Sequence, residues 1–372
     1  MRAVGIILAG GKNERMGDLT AIRATSAMPV GSCFRAIDFS LSNMTNSGID
    51  KVAVITQYNS RSLHDHLSSA KWWDLGSKQG GLFTFTPFLS NENNFWFRGT
   101  ADSIYQNITF LKRSNEPYVV IASGENVYQF DYNELIDYHI AKQADITILC
   151  KDFSKQTEKD LHDFGILELD EDNRMLDFEE KPVEPQSSVA SLGIYVISRT
   201  LLIKLLETIL PEARYDLVKD IIIRYRKKLK MYAYMFEGYW STINCVQSYF
   251  DTNMDFLRPE VRNAFFAQEP YIETKPKDEP PAKYNIGAHV QNALVGSGSI
   301  LNGYVEKSIL FRRVFIGENS SVRNSIIMEG CYIGNNCVVE NAILDKEVVL
   351  SDGKSLIGTP EQPLIIRKSS VV

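Results

Sequence analysis

The sequence predicts an α/β domain on a mostly parallel sheet, followed by a left-handed parallel β-helix. Two observations carry this expectation. Up to about Asn253, short apolar runs alternate with amphipathic stretches, the pattern of a sheet covered on both faces. After Tyr284, short apolar steps and Ile-Gly pairs recur at near-regular spacing. With 372 residues and 44% hydrophobic composition, the chain can bury a sizeable core, and its length favours two domains.

The first element is the apolar run Val4-Gly5-Ile6-Ile7-Leu8-Ala9, which breaks directly into Gly10-Gly11-Lys12-Asn13-Glu14-Arg15. A buried strand entering a glycine pair and a basic residue suits the phosphate chain of a nucleotide, because glycines admit close backbone approach and free N–H groups face the anion. Glu14 opposes this by placing a carboxylate inside the turn. Further strands are expected at Val52–Thr56, Tyr118–Ala122 and Ile146–Leu149, with helices over Asp102–Leu111 and Asn133–Gln143. In such sheets ligands lie at the carboxyl ends of strands, where Gly10-Gly11 and Ser123-Gly124-Glu125 fall. The first domain is set at residues 1–257. Five prolines mixed with Lys, Asp and Glu then suggest an extended linker over 258–283.

Residues 284–372 form the second domain. Ile286-Gly287, Ile316-Gly317 and Ile333-Gly334 are followed by small polar residues and then Val290, Val322 and Val338. Apolar steps recur at Leu294-Val295, Ile309-Leu310, Ile326-Ile327, Ile343-Leu344 and Val348-Val349. The two clearest copies lie 17 residues apart, near the roughly 18 of three hexapeptides per coil. These apolar positions are expected to point into a narrow prism. An ordinary β-sandwich with even strand spacing is the competing reading. The flat side and open end of a β-helix favour assembly of subunits.

A net charge of −6 argues against nucleic acid or an anionic membrane as partner. No apolar run reaches eighteen residues, and the N-terminus lacks a signal pattern. The five cysteines are scattered without a C-x-x-C pair, so neither a disulfide framework nor a zinc site is indicated. A cytoplasmic protein is expected. The opening glycines do not form G-x-G-x-x-G, and Asp50 precedes its strand, which disfavours a dinucleotide-dependent oxidoreductase.

Several stretches together resemble the glucose-1-phosphate adenylyltransferases (ADP-glucose pyrophosphorylases). They are Ile7–Gly11, Phe34–Asn43, Asn46–Ile49, Thr56–Ser60, Phe97–Asp102, Phe178–Pro182, Ala190–Val196 and Gly238–Trp240. The resemblance runs nearly end to end. It implies a Rossmann-like nucleotidyltransferase sheet, and a reaction in which the phosphate of glucose 1-phosphate attacks the α-phosphorus of ATP, giving ADP-glucose and pyrophosphate. Such transfers need positioned reactants and positive charge from lysine, arginine and Mg²⁺.

On the sugar side, the resemblance implies that Lys181 holds the sugar phosphate and that Glu180 and Ser191, with Gly165, hold the sugar. Leu8, Ala9, Gly10, Gly11, Gln57, Gly99, Thr100 and Ala101 match nucleotide-binding positions, although Thr100 also suits a helix N-cap. On the catalytic side the pattern departs. Arg15 remains, but the small residues before it are Asn13 and Glu14, the lysine of Arg-Ala-Lys-Pro is Thr25, and the family's Gly-Gly-Lys is Gly31-Ser32-Cys33. The two metal-holding aspartates are Glu125 and Thr242. Glu125 alone would hold Mg²⁺ only loosely. Losing one well-placed charged group costs about 10²–10³ in rate, and the combined loss is expected on the order of 10⁴ or more.

The expectation is a modulatory subunit resembling the D-type subunit that accompanies a catalytic C-type subunit in some Gram-positive bacteria. Its partners would be that catalytic subunit, in a hetero-oligomer (a tetramer) or a homo-oligomer when alone, and a sugar phosphate or effector; Mg²⁺ would belong to the assembled enzyme. An active enzyme using Glu125, Arg15 and Lys181 around a shifted metal site is the alternative, and a free-standing sugar-phosphate sensor would look the same in sequence. His64 and His66, two apart, diverge on a helix. Trp72-Trp73 and the Phe83-Phe85-Phe88 cluster suit packing of a loop or subunit contact, and Arg224–Lys228 a solvated helix end.

Overall fold

The computed structural model describes residues 2–76, 80–88, 96–155 and 160–372. The α/β domain opens with β1 (Ala3–Ala9), the ribbon β2 (Pro29–Val30) and β3 (Phe34–Arg35), α1 (Ala36–Asn46), β4 (Lys51–Thr56), α2 (Arg61–Leu67) and β5 (Gly81–Phe85). Next come α3 (Thr100–Gln106), α4 (Ile108–Lys112), β6 (Tyr118–Ser123), β7 (Asn126–Tyr128), α5 (Tyr132–Ala141) and β8 (Ile146–Asp152). It continues through β9 (Gly165–Leu169), β10 (Met175–Glu180), β11 (Val189–Ser198), α6 (Arg199–Ile209), β12 (Met231–Met235), β13 (Trp240–Thr242), α7 (Val246–Asp255) and α8 (Pro259–Phe266).

Strands run in the order β10-β9-β11-β6-β1-β4-β5, with β8 on the far side of β11 and β12 beside β8. The half that carries the glycine turn is parallel: β1 lies between β4 and β6, and β4 pairs with β5. Ile6 and Val4 pack into one apolar layer while Ala3 and Ile7 pack into the other, so β1 reads as a continuous apolar run. β11 joins antiparallel to β6 and β8. Its register breaks between Ser191 and Ile194, and Gly193 (φ +70) turns through a conformation open to glycine. This bulge brings Ser191–Gly193 to the cleft described below. The expected strands at 52–56, 118–122 and 146–149 are β4, β6 and β8.

The helix expected over Asp102–Leu111 is two helices, because Asn107 (φ −107, ψ 19) interrupts the turn between them. The expected linker is not wholly extended. Pro259 sits in the first turn of α8, where its missing N–H costs nothing, and Val261 and Phe265 bury their side chains. Proline there starts a helix that the composition of 258–283 disguised. His64 binds the Thr56 hydroxyl and His66 the Asp38 carboxylate, so each has its own structural partner. Trp73 is buried, and Phe83 and Phe85 pack on Phe110. Arg224 pairs with Glu212 and Arg226 with Asp177.

The strand pairs after Lys283 are all parallel, with Ile316 opposite Ile333 and Ile333 opposite Leu350, as a left-handed β-helix requires. Leu301, Ile316, Val322, Ile333, Val339 and Leu350 fill the interior. Not every repeat valine or isoleucine points inward. Ile286 is fully exposed, and Val290 and Val338 lie on the surface. Successive strand residues face opposite ways, so Val338 turns out where Val339 turns in.

The apolar doublets have a separate explanation. In Ile309-Leu310, Ile326-Ile327 and Ile343-Leu344, the second residue fills the prism while the first packs on the α/β domain beside Phe39, Tyr249 and Phe250. Each such buried side chain contributes about 1.5–3 kcal/mol. A buried ion pair crosses the same interface: Arg23 Nη1 and Nη2 donate to the Asp345 carboxylate at 2.7 and 3.0 Å. The β-helix therefore anchors the segment leading to Thr25.

Candidate active site

A cleft of about 670 Å³ opens at the carboxyl ends of β1 and β6. The glycine turn forms one side, β9, β10 and the β11 bulge the other, and the β7–β13 ribbon the floor. This is the placement the open-sheet rule requires.

On the sugar side, Gly165, Glu180, Lys181 and Ser191 all line the cleft. A Cβ at Gly165 would lie 2.2 Å from the Phe178 ring and 3.1 Å from Glu180 Oε2, so glycine is needed for β9 to sit against these side chains. Burial pushes the Glu180 carboxyl up, against the pull of Lys181. Lys181 holds φ +52 and donates its N–H to Phe164 O at 3.0 Å. A left-handed backbone is uncommon outside glycine and clusters where the surrounding structure fixes a functional side chain. Ser191 Oγ accepts the Gly193 N–H at 3.2 Å.

At the positions expected to hold metal, Thr242 pairs with Asn126 across the β7–β13 ribbon, and Ile243 N–H donates to Glu125 O. Thr242 and Glu125 are therefore neighbours, as two ligands of one ion would be, but only one carries a carboxylate. Burial pushes the Glu125 carboxyl up to about 7, although Thr25 and the Lys181 charge pull it down. The Thr25 hydroxyl lies near Glu125 yet, buried, makes no well-formed hydrogen bond among the described residues. Mg²⁺ favours one or two ionised carboxylates, and of this pair of positions only Glu125 offers one. Among the described residues, no group of three His, Cys, Asp or Glu side chains could hold a metal.

The nucleotide side is only partly assembled in the cleft. Gly11 lines it, with Leu8, Ala9 and Gly10 just behind at the end of β1. Glu14 does not point alone into the turn; it pairs with Lys12 at 2.6 Å. Arg15 Nη2 donates to Asp163 Oδ2 at 2.7 Å and Nη1 to Oδ1, a bidentate pair that keeps Arg15 protonated and Asp163 below its ordinary range. The Gln57 side chain accepts from Phe97 N–H at 2.7 Å and donates to Phe97 O at 3.4 Å, fixing the segment before α3.

Gly99, Thr100 and Ala101 stand outside the cleft lining, at the start of α3. Thr100 does not cap its own helix. Its Oγ1 accepts the Leu217 N–H at 2.8 Å, Asp102 accepts from Arg98 N–H, and Tyr215 O takes the Ala101 and Asp102 amides. A tertiary partner supplies the acceptors the free helix end lacks.

Sequence reasoning missed Asp163, Asn244 and Trp240, which all line the cleft. Asp163, two residues before Gly165, carries no motif signal, and Trp240 stands out in the sequence only as the last residue of Gly238–Trp240. The buried Trp240 Nε1 has no hydrogen-bond partner among the described residues.

The nucleotidyl transferase family profile matches residues 4–258, more than half of the chain. A profile described as the GlmU-like C-terminal hexapeptide matches residues 280–362. The chain is 38% identical to a glucose-1-phosphate adenylyltransferase of Geobacillus stearothermophilus over 325 residues, covering 87% of this chain and 83% of that one. It is 39% identical to that of Thermosipho africanus (86% and 77% covered) and 38% identical to that of Bacillus subtilis (86% and 84% covered). This chain belongs to the glucose-1-phosphate adenylyltransferase family. Its cleft is lined by Glu180, Lys181 and Ser191 on one side and by Glu125 and Thr242 on the other. Among the described residues, no helix is long and apolar enough to cross a membrane.

Proposed function

We propose that this chain is the modulatory partner of a catalytic glucose-1-phosphate adenylyltransferase subunit, holding a sugar phosphate in its cleft and turning over poorly or not at all. One observation carries the reading: Thr242 stands beside Glu125 where a carboxylate pair would anchor a divalent ion, while Glu180, Lys181 and Ser191 line the same cleft. Charge stabilisation dominates phosphoryl and nucleotidyl transfer, so losing the ion's anchor removes far more rate than losing a packing group. In this reading Mg²⁺ belongs to the assembled enzyme and is anchored in the catalytic subunit. The complex is a hetero-oligomer, a tetramer by analogy with the D-type resemblance, and it serves ADP-glucose supply for glycogen in the cytoplasm.

The test is ADP-glucose formation by this chain, by its catalytic partner and by their mixture, with and without sugar phosphates. The expected result is little activity alone and a mixture that departs from the sum. Strong activity from the isolated chain would favour an active enzyme with a shifted metal site. A mixture equal to the simple sum would remove the modulatory role.

A further inference from the structure

We propose that Asp163 sets the ligand selectivity of the cleft, a built-in anion that keeps Arg15 from a polyphosphate while Lys181 stays open to a phosphate monoester. The inference rests on the sugar-phosphate reading of that cleft. Among the described residues three cations line it: Lys12, Arg15 and Lys181. Two are already matched within the chain, Lys12 by Glu14 and Arg15 by Asp163 through both guanidinium nitrogens. Lys181 forms no ion pair among the described residues, though its charge is felt by Glu125, Asp163 and Glu180.

Asp163 is well placed to persist in this role. Asn244 Nδ2 reaches it at 3.4 Å from the start of α7, and Arg15 holds it ionised. A triphosphate entering past the glycine turn therefore meets the carboxylates of Glu14 and Asp163, with no unmatched cation among the described lining residues until Lys181. A phosphate monoester needs less. One ammonium and the neutral donors of the β11 bulge suffice for its charge and hydroxyls. Arg15 and Asp163 are partly exposed (51% and 29% of each side chain), so the pair is a competitor for ligand and not a locked core contact.

The test is calorimetric titration of the full chain with ATP without metal, and separately with glucose 1-phosphate. Wild type is compared with Asp163→Asn, Arg15→Gln and the double variant. Asp163→Asn should tighten ATP about ten- to a hundredfold, the range expected when Arg15 is freed to donate one charge-assisted hydrogen bond to phosphate, and the double variant should lose that gain. Arg15→Gln alone should bind ATP no more tightly than wild type, because it bares the Asp163 carboxylate and frees no cation. An unchanged Asp163→Asn, an equal gain in the double variant, or a gain in Arg15→Gln would each overturn the proposal. Should Asp163→Asn fold poorly, Asp163→Ser replaces it and is read the same way. Failure of wild type to bind glucose 1-phosphate would overturn the sugar-phosphate reading, and that arm is read independently of the ATP comparison.

Discussion

Replacing Arg23 by Met removes one half of the ion pair that joins the α/β domain to the β-helix. Arg23 is 4% exposed and Asp345 1%, and two hydrogen bonds of 2.7 and 3.0 Å link them. Met keeps the aliphatic stem but leaves the Asp345 carboxylate buried with, among the described residues, only the Lys346 N–H, at 2.6 Å, as donor. Orphaning a buried charge in this way costs about 3–5 kcal/mol. Replacing both, Arg23→Met with Asp345→Leu, removes the charges together and should return most of that loss, since a hydrophobic pair of similar volume is often neutral. The assay is urea unfolding of the four proteins of the cycle, with the pairwise term extracted from midpoints and slopes. A single variant within about 1 kcal/mol of wild type would refute the argument, as would a double variant as unstable as the sum of the singles. Either result would mean that the packed Ile309, Ile326 and Ile343 ladder holds the domains without help from the charges.

Restoring Thr242→Asp together with Thr25→Lys should raise ADP-glucose formation by the isolated chain about 10²-fold or more; no rise would indicate that the losses at these positions do not limit turnover. Lys181→Gln should weaken glucose 1-phosphate roughly ten- to a hundredfold in calorimetry, the value of a hydrogen bond to a charged group, and an unchanged affinity would move the phosphate elsewhere. Burial lowers His139 to about 4 in the fold, where Thr147 Oγ1 meets its Nδ1 at 2.8 Å. The unfolded chain therefore takes this proton first, near pH 6.5. The stabilisation is complete above about 6.5 and disappears as pH falls through about 4, a loss of about 3 kcal/mol at most. Unfolding of wild type and His139→Gln followed from pH 7.5 to 4 should converge toward the acid end. A gap constant with pH would contradict this.

The sheet and the prism are legible in the chain's own pattern. Alternating apolar runs mark which residues face a core, and the 17-residue recurrence marks the coil, because both are written in neighbouring residues. The motifs around Glu180, Lys181 and Ser191 likewise point to one cleft before any fold is seen. Which charges cancel is a different matter, settled by three-dimensional packing alone. Arg15 meets Asp163 across 148 positions and Arg23 meets Asp345 across 322, and nothing local in the chain marks either partner. The same holds for Thr242 beside Asn126, and for Thr100, whose hydroxyl serves Leu217 and not its own helix. Facing and period follow from steric patterns a few residues long, whereas the partner of a charge depends on where distant strands bring it. The choice between an open cation and a neutralised one is therefore made by the fold.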